Sequence, residues 1–76
     1  MSAIPLTNME SGKKGKVIEI QGGRGLIARL SAMGVRPGIK ITKISGQIMR
    51  GPVIVRVGNT QIAIGFGMAS RVIVEV

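Results

Sequence analysis

Cysteine and histidine are both absent from this 76-residue sequence, and its carboxylates are only Glu10, Glu19 and Glu75. Without cysteine there is no disulfide, no thiolate nucleophile and no cysteine-held zinc site. Without histidine the commonest general base and the commonest metal ligand are missing together. Three glutamates leave little for acid–base catalysis to tune, so the inventory argues against an enzyme. Aromatic residues are equally scarce, with Phe66 alone. This removes the stacking platforms that small barrels use on single-stranded nucleic acid, worth about 1–3 kcal/mol per base. It also removes the aromatic walls of a groove for proline-rich peptides. The first residues, Met1 to Met9, lack a basic segment followed by a long apolar core. The longest uncharged run, Val57 to Ser70, is broken by Asn59, Thr60 and Gln61 and is shorter than the ~20 residues of a spanning helix. The expectation is a cytoplasmic protein with no membrane insertion.

What the sequence does have is positive charge. Eleven lysines and arginines against three glutamates give a formal charge of +8. Such a balance points to an acidic partner: nucleic acid, anionic lipid headgroups or an acidic protein face. Outside Lys13-Lys14-Gly15-Lys16 the basic residues are strewn along the chain. Hydrophobic residues still make up 45%, and the mean hydropathy is +0.40. For one small domain, read as residues 1–76, this implies aliphatic surface left for a partner to cover.

The apolar pattern is mostly that of strands. Lys16-Val17-Ile18-Glu19-Ile20 reads as the first, Ile39 to Thr42 as the second, and Val53 to Val57 as the third. The alternation slips at Lys43-Ile44, which a bulge or sharp bend explains. Gly58-Asn59 is a hairpin signal leading into Thr60 to Ile64, and Arg71 to Val76 closes the chain. Gly65 to Ser70 reads as a corner with room for one helical turn. Thr7-Asn8-Met9-Glu10 has the form of a capping box.

One helix interrupts this series. Leu26, Leu30 and Met33 fall at i, i+4 and i+7 and form an apolar stripe for core packing. Gly34 stands where a left-handed residue would end the helix, and Pro37-Gly38 fits the turn that follows. Mainly β structure of about five strands, with one short helix after the first, suggests a small bent antiparallel barrel. An open α+β sheet is the alternative.

Several constellations invite a chemical reading. Gly23-Arg24-Gly25-Leu26-Ile27-Ala28 fits a dinucleotide-binding turn between strand and helix. It lacks the acidic residue roughly 20 positions on and the length of a βαβαβ unit, so it reads as a joint. Met9, Met33, Met49 and Met68 offer thioethers suited to Cu(I), but Met33 and Met68 read as core. No metal ligand set is assigned. Arg29 and Arg36 flank the helix and its exit and suit a carboxylate partner. Ile48 and Met49, in the loop between Gly46 and Gly51-Pro52, either fold back on the barrel or face a partner. The partner-binding set is therefore Ile27, Arg29, Arg36, Ile48 and Met49, and Leu26, Leu30, Met33, Gly34, Pro37 and Gly38 form the structural motif.

Taken together, Leu26-x-x-Arg29-Leu30-x-x-Met33-Gly34-Val35-x-Pro37-Gly38 resembles the ferrous iron transport protein A family. Further matches are Pro5-Leu6-Thr7, Gly15-x-Val17-x-x-Ile20, Gly22-Gly23, Gly51-Pro52, Val55-x-Val57-Gly58, Ile62-Ala63-Ile64-Gly65 and Met68-Ala69. The resemblance implies an SH3-like barrel. It implies a non-enzymatic cytosolic accessory protein of bacterial Fe(II) uptake, acting with a membrane transporter and its cytosolic GTP-binding domain. Transition-metal binding is often associated with such domains, but the residues here supply no convincing ligand set, so no cofactor is expected, and the scarcity of aromatics argues against a specific nucleic-acid partner. Gly51-Pro52 without an intervening acid, and Gly65-Phe66-Gly67 in place of a charged stretch, depart from common members. The competing readings are a basic barrel for nucleic acid and a transition-metal-sensing module.

Overall fold

A computed structural model describes residues 2–45 and 51–76. Six strands form: β1 (Ala3–Pro5), β2 (Lys14–Ile20), β3 (Lys40–Ser45), β4 (Val53–Val57), β5 (Thr60–Ile64) and β6 (Val72–Glu75). They lie in one sheet in the order β1-β6-β2-β3-β4-β5, and every neighbouring pair is antiparallel. The sheet does not close by hydrogen bonds. Its two ends are drawn together instead, because the short helix α2 (Phe66–Ala69) after β5 packs on a 3-10 turn (Leu6–Asn8) after β1. The result is the barrel-like mainly β fold expected from the strand pattern.

Alternation along the strands builds the interior. Val17, Ile41, Val53, Val55, Ile64, Val72 and Val74 are all buried, and Leu6, Leu30, Val35 and Ala69 join them. Registers slip between Val17 and Glu19 and again between Lys43 and Ser45. Each slip inserts one residue opposite a regular strand, which bends the ribbon and increases its twist.

The helix α1 spans Arg24–Ala32 between β2 and β3. Leu30 is fully buried, while Leu26 and Met33 pack against the core from partly covered positions. The end of α1 is a Schellman cap. The Val35 N–H donates to the Leu30 carbonyl at 2.9 Å, and the Gly34 N–H donates to Ser31 at 2.9 Å. Gly34 holds φ +89°, where a Cβ would strain the backbone. Next, the Ile39 N–H donates to the Arg36 carbonyl at 3.2 Å, with Pro37 and Gly38 (φ +95°) at the centre of a type II turn. The Gly38 N–H reaches the Val17 carbonyl at 2.7 Å, so the turn is sewn onto β2.

The N-terminal segment departs from the sequence pattern. β1 was not expected, because three residues ending in proline carry almost no strand signal. As an edge strand it tolerates Pro5, which lies opposite Ile73 on β6. No helical turn starts after Thr7, where the capping-box pattern of Thr7 to Glu10 would place one. The 3-10 turn starts two residues earlier, with Pro5 as its N-cap and no side-chain hydrogen bond from that cap. Leu6 then turns inward and is fully buried, and Met9 follows at 3% exposure. A helix begun at Thr7 would not bring Leu6 into the same single turn, and the turn over Leu6–Asn8 does bury it.

Lys43 secures that segment. The alternation of β3 points it inward, and it is 2% exposed. Its ammonium donates to the carbonyls of Leu6 (3.2 Å), Thr7 (3.3 Å) and Met9. The Leu6 carbonyl already accepts the Met9 N–H that closes the turn, at 3.1 Å, and the lysine adds a second donor to it while also answering Thr7 and Met9. The backbone adds two links: the Gly12 N–H donates to the Lys43 carbonyl at 2.6 Å, and the Lys43 N–H to Lys13 at 3.0 Å. Burial lowers the Lys43 pKa below the ordinary 10.5.

Two pairs of measurements follow from this architecture. Gly34→Ala is expected to lower unfolding free energy in urea by roughly 1–2 kcal/mol, from the left-handed backbone alone. Gly25→Ala, in helical backbone with open space around a new Cβ, is expected to raise it by roughly 0.5–1 kcal/mol. Lys43→Met keeps the stem but takes the ammonium from the Thr7 and Met9 carbonyls, and is expected to cost about 2 kcal/mol at neutral pH. Because the folded pKa lies below 10.5, the unfolded chain holds more protons between the two values. Stability therefore rises with pH through that window in the parent, and this alkaline rise is expected to be absent from Lys43→Met.

Candidate functional site

Two surfaces carry exposed basic residues in an arrangement suited to a partner. The first is the rim of α1 and its exit. Ile27 is 39% exposed on the helix, and Arg29 in its last turn and Arg36 in the following type II turn are exposed. An isoleucine left in water on a helix that carries arginine is a surface of partner-binding composition. Ile48 and Met49, expected to join this set, lie outside the described residues.

The second surface was not legible in the chain order. Strand register places Lys16 of β2 directly opposite Lys40 of β3 on one side and Glu75 of β6 on the other. The next row on the same outer face runs Lys14, Thr42, Arg56 and Gln61 across β2, β3, β4 and β5. Lys14, Lys16, Lys40 and Arg56 are all exposed, whereas Gly15, Val17, Ile41 and Val55 between them face inward. Four cations thus meet two carboxylates on this outer face, Glu75 opposite Lys16 and the exposed Glu19 opposite Ile73 past the β2 bulge. Directly opposed Cβ atoms in such a pair stand about 4.5–5.5 Å apart, so Lys16 and Lys40 repel each other. A shallow concavity of ≈ 290 Å³ runs between Lys14, Lys16, Lys40 and Glu75. A second, of ≈ 340 Å³, adjoins it beneath Ile4, Asn8, Met9, Glu10, Lys13, Lys14 and Val76.

Other readings of the sequence find less support. The glycines Gly23 and Gly25 open α1, but β2 and β3 on either side of it are antiparallel. The parallel βαβ unit that gives a dinucleotide turn its meaning is not formed. Met9 is core, and Met33 and Met68 pack against the core. Among the described residues no three of His, Cys, Asp and Glu gather as a metal site, and no described helix is long and apolar enough to cross a membrane. Lys43, the buried cation, has its ammonium committed to backbone carbonyls rather than to a ligand.

Comparisons with known proteins agree with this fold. A family model described as FeoA domain matches residues 4–76. A curated relative from Methanocaldococcus jannaschii, named "Putative Fe(2+) transport protein A", is 38% identical over 71 residues, covering 93% of this chain and 84% of its own. A crystal structure of an iron uptake regulatory protein (FeoA) superposes with a TM-score of 0.88 at 39% identity, over 99% of this chain and 97% of that one. A manganese-dependent transcriptional repressor bound to manganese reaches a TM-score of 0.89 at 16% identity, over 99% of this chain and 37% of that one. At that identity the likeness is one of fold alone.

Proposed function

The chain belongs to the FeoA domain family, and from that premise we propose that it is a non-enzymatic accessory of Fe(II) transport, acting by contact with the membrane transporter and its cytosolic GTP-binding domain. Involvement in Fe(II) transport follows from the family. The mode of action rests on the surface chemistry. The observation that carries it is the exposed Ile27 on α1, with Arg29 on the same helix and Arg36 at its exit. An exposed isoleucine, with arginines on the same helix and at its exit that can pair with carboxylates, is the composition of a small protein interface. The scarcity of acids, bases and nucleophiles supports a role without chemistry of its own.

The direct test is binding of the purified protein to the detergent-solubilised transporter and to its isolated GTP-binding domain, with and without guanine nucleotide. Binding at micromolar concentration is expected. Ile27→Asp and the pair Arg29→Glu/Arg36→Glu are each expected to weaken it about tenfold or more, with circular dichroism unchanged. No interaction in either nucleotide state would sink the reading.

A further inference from the structure

We propose that the outer face of β2, β3 and β4, carrying Lys14, Lys16, Lys40 and Arg56, docks on a bilayer surface rich in anionic phospholipid. The register supplies the arrangement: two adjacent rows of a single sheet face, with Lys16 opposed to Lys40 and Arg56 opposed to Thr42. Two lysines held face to face cost stability, and the fold retains that cost on an exposed surface. A diffuse sheet of negative charge relieves it, because every ammonium finds counter-charge without needing a partner in one fixed place.

The chemistry of the face selects the occupant. Three of the four cations are lysines, compact point charges whose long stems reach outward independently. Lysine is depleted at protein–protein interfaces, where arginine and aromatic anchors dominate, and these rows carry no aromatic. Single-stranded nucleic acid needs stacking platforms, and Phe66, the one aromatic, sits on α2 rather than on these strands. Headgroup phosphates in a plane need neither anchors nor platforms. Ile18, 41% exposed in the β2 bulge just past Lys16, adds an aliphatic side chain suited to the headgroup–acyl boundary. The contact is peripheral: no element of the fold needs to enter the hydrocarbon.

Vesicle sedimentation tests this without any transporter, so its outcome and that of the transporter-binding test are independent. Vesicles of phosphatidylcholine containing phosphatidylglycerol are expected to carry the protein down at about 0.1 M salt and release it at about 1 M, while phosphatidylcholine alone leaves it in solution. Lys14→Gln/Lys16→Gln/Lys40→Gln is expected to lower partitioning about 100-fold, about fivefold for each lysine. A control that removes equal charge elsewhere, Arg24→Gln/Arg29→Gln/Arg71→Gln, is expected to retain most of the binding. Lys16→Gln alone, about fivefold weaker, serves as the readable variant if the triple substitution disturbs folding. The proposal is overturned if the parent ignores phosphatidylglycerol, if the two triple variants lose binding equally, or if a mixed-sequence RNA displaces the protein from vesicles through the same lysines.

Discussion

The fold depends on a buried ammonium. Lys43 reaches from β3 across the barrel end and holds the carbonyls of Leu6, Thr7 and Met9. A buried cation is expensive unless its donors are all answered, and here three donors meet three carbonyls, of which only that of Leu6 is also bonded within the 3-10 turn. The arrangement pins a short segment that has little structure of its own. That segment carries Leu6 and Met9 into the core and supplies the turn on which α2 packs. Without it the sheet, which never closes by hydrogen bonds, would lose the contact that draws its ends together.

A second constraint sits on the other side of the same strands. Alternation sends Gly15, Val17, Ile41 and Lys43 inward and therefore Lys14, Lys16, Lys40 and Thr42 outward. Because register is fixed by the buried face, the charged face cannot choose its neighbours. Lys16 and Lys40 are 24 positions apart in the chain and directly opposed in the sheet. The charge concentration on this surface is thus a by-product of core packing that a basic sequence can exploit. The α1 rim is different in kind, since local helix geometry and the Gly34 cap set it with little help from the sheet.

Legibility followed the range of the interactions involved. The α1 stripe, the Gly34 cap, the Pro37-Gly38 turn and the Gly58-Asn59 hairpin were all readable, because each is decided within a few residues. The slip at Lys43-Ile44 was readable as a break in period, and the register shift there is the bulge it announced. β1 was not, since its pairing with β6 is a contact between the two ends of the described chain. The turn signalled at Thr7 to Glu10 forms two residues earlier, over Leu6–Asn8, where it buries Leu6. Of the candidate sites, the residues of the α1 rim could be named in advance from local pattern. The lysine face could not, because its members lie on three strands.

Composition and local pattern alone rule out disulfide and thiolate chemistry and specify α1 with its glycine stop and the strand periodicity that makes the protein mainly β. Those are matters of composition and of neighbours within about one helical turn or one hairpin. Only the tertiary structure decided that Lys43 is a buried staple and that Lys14, Lys16, Lys40 and Arg56 share one surface. Both depend on which strands lie side by side and in what register. That choice is made by the burial of a common core, and no local stretch of the chain contains it.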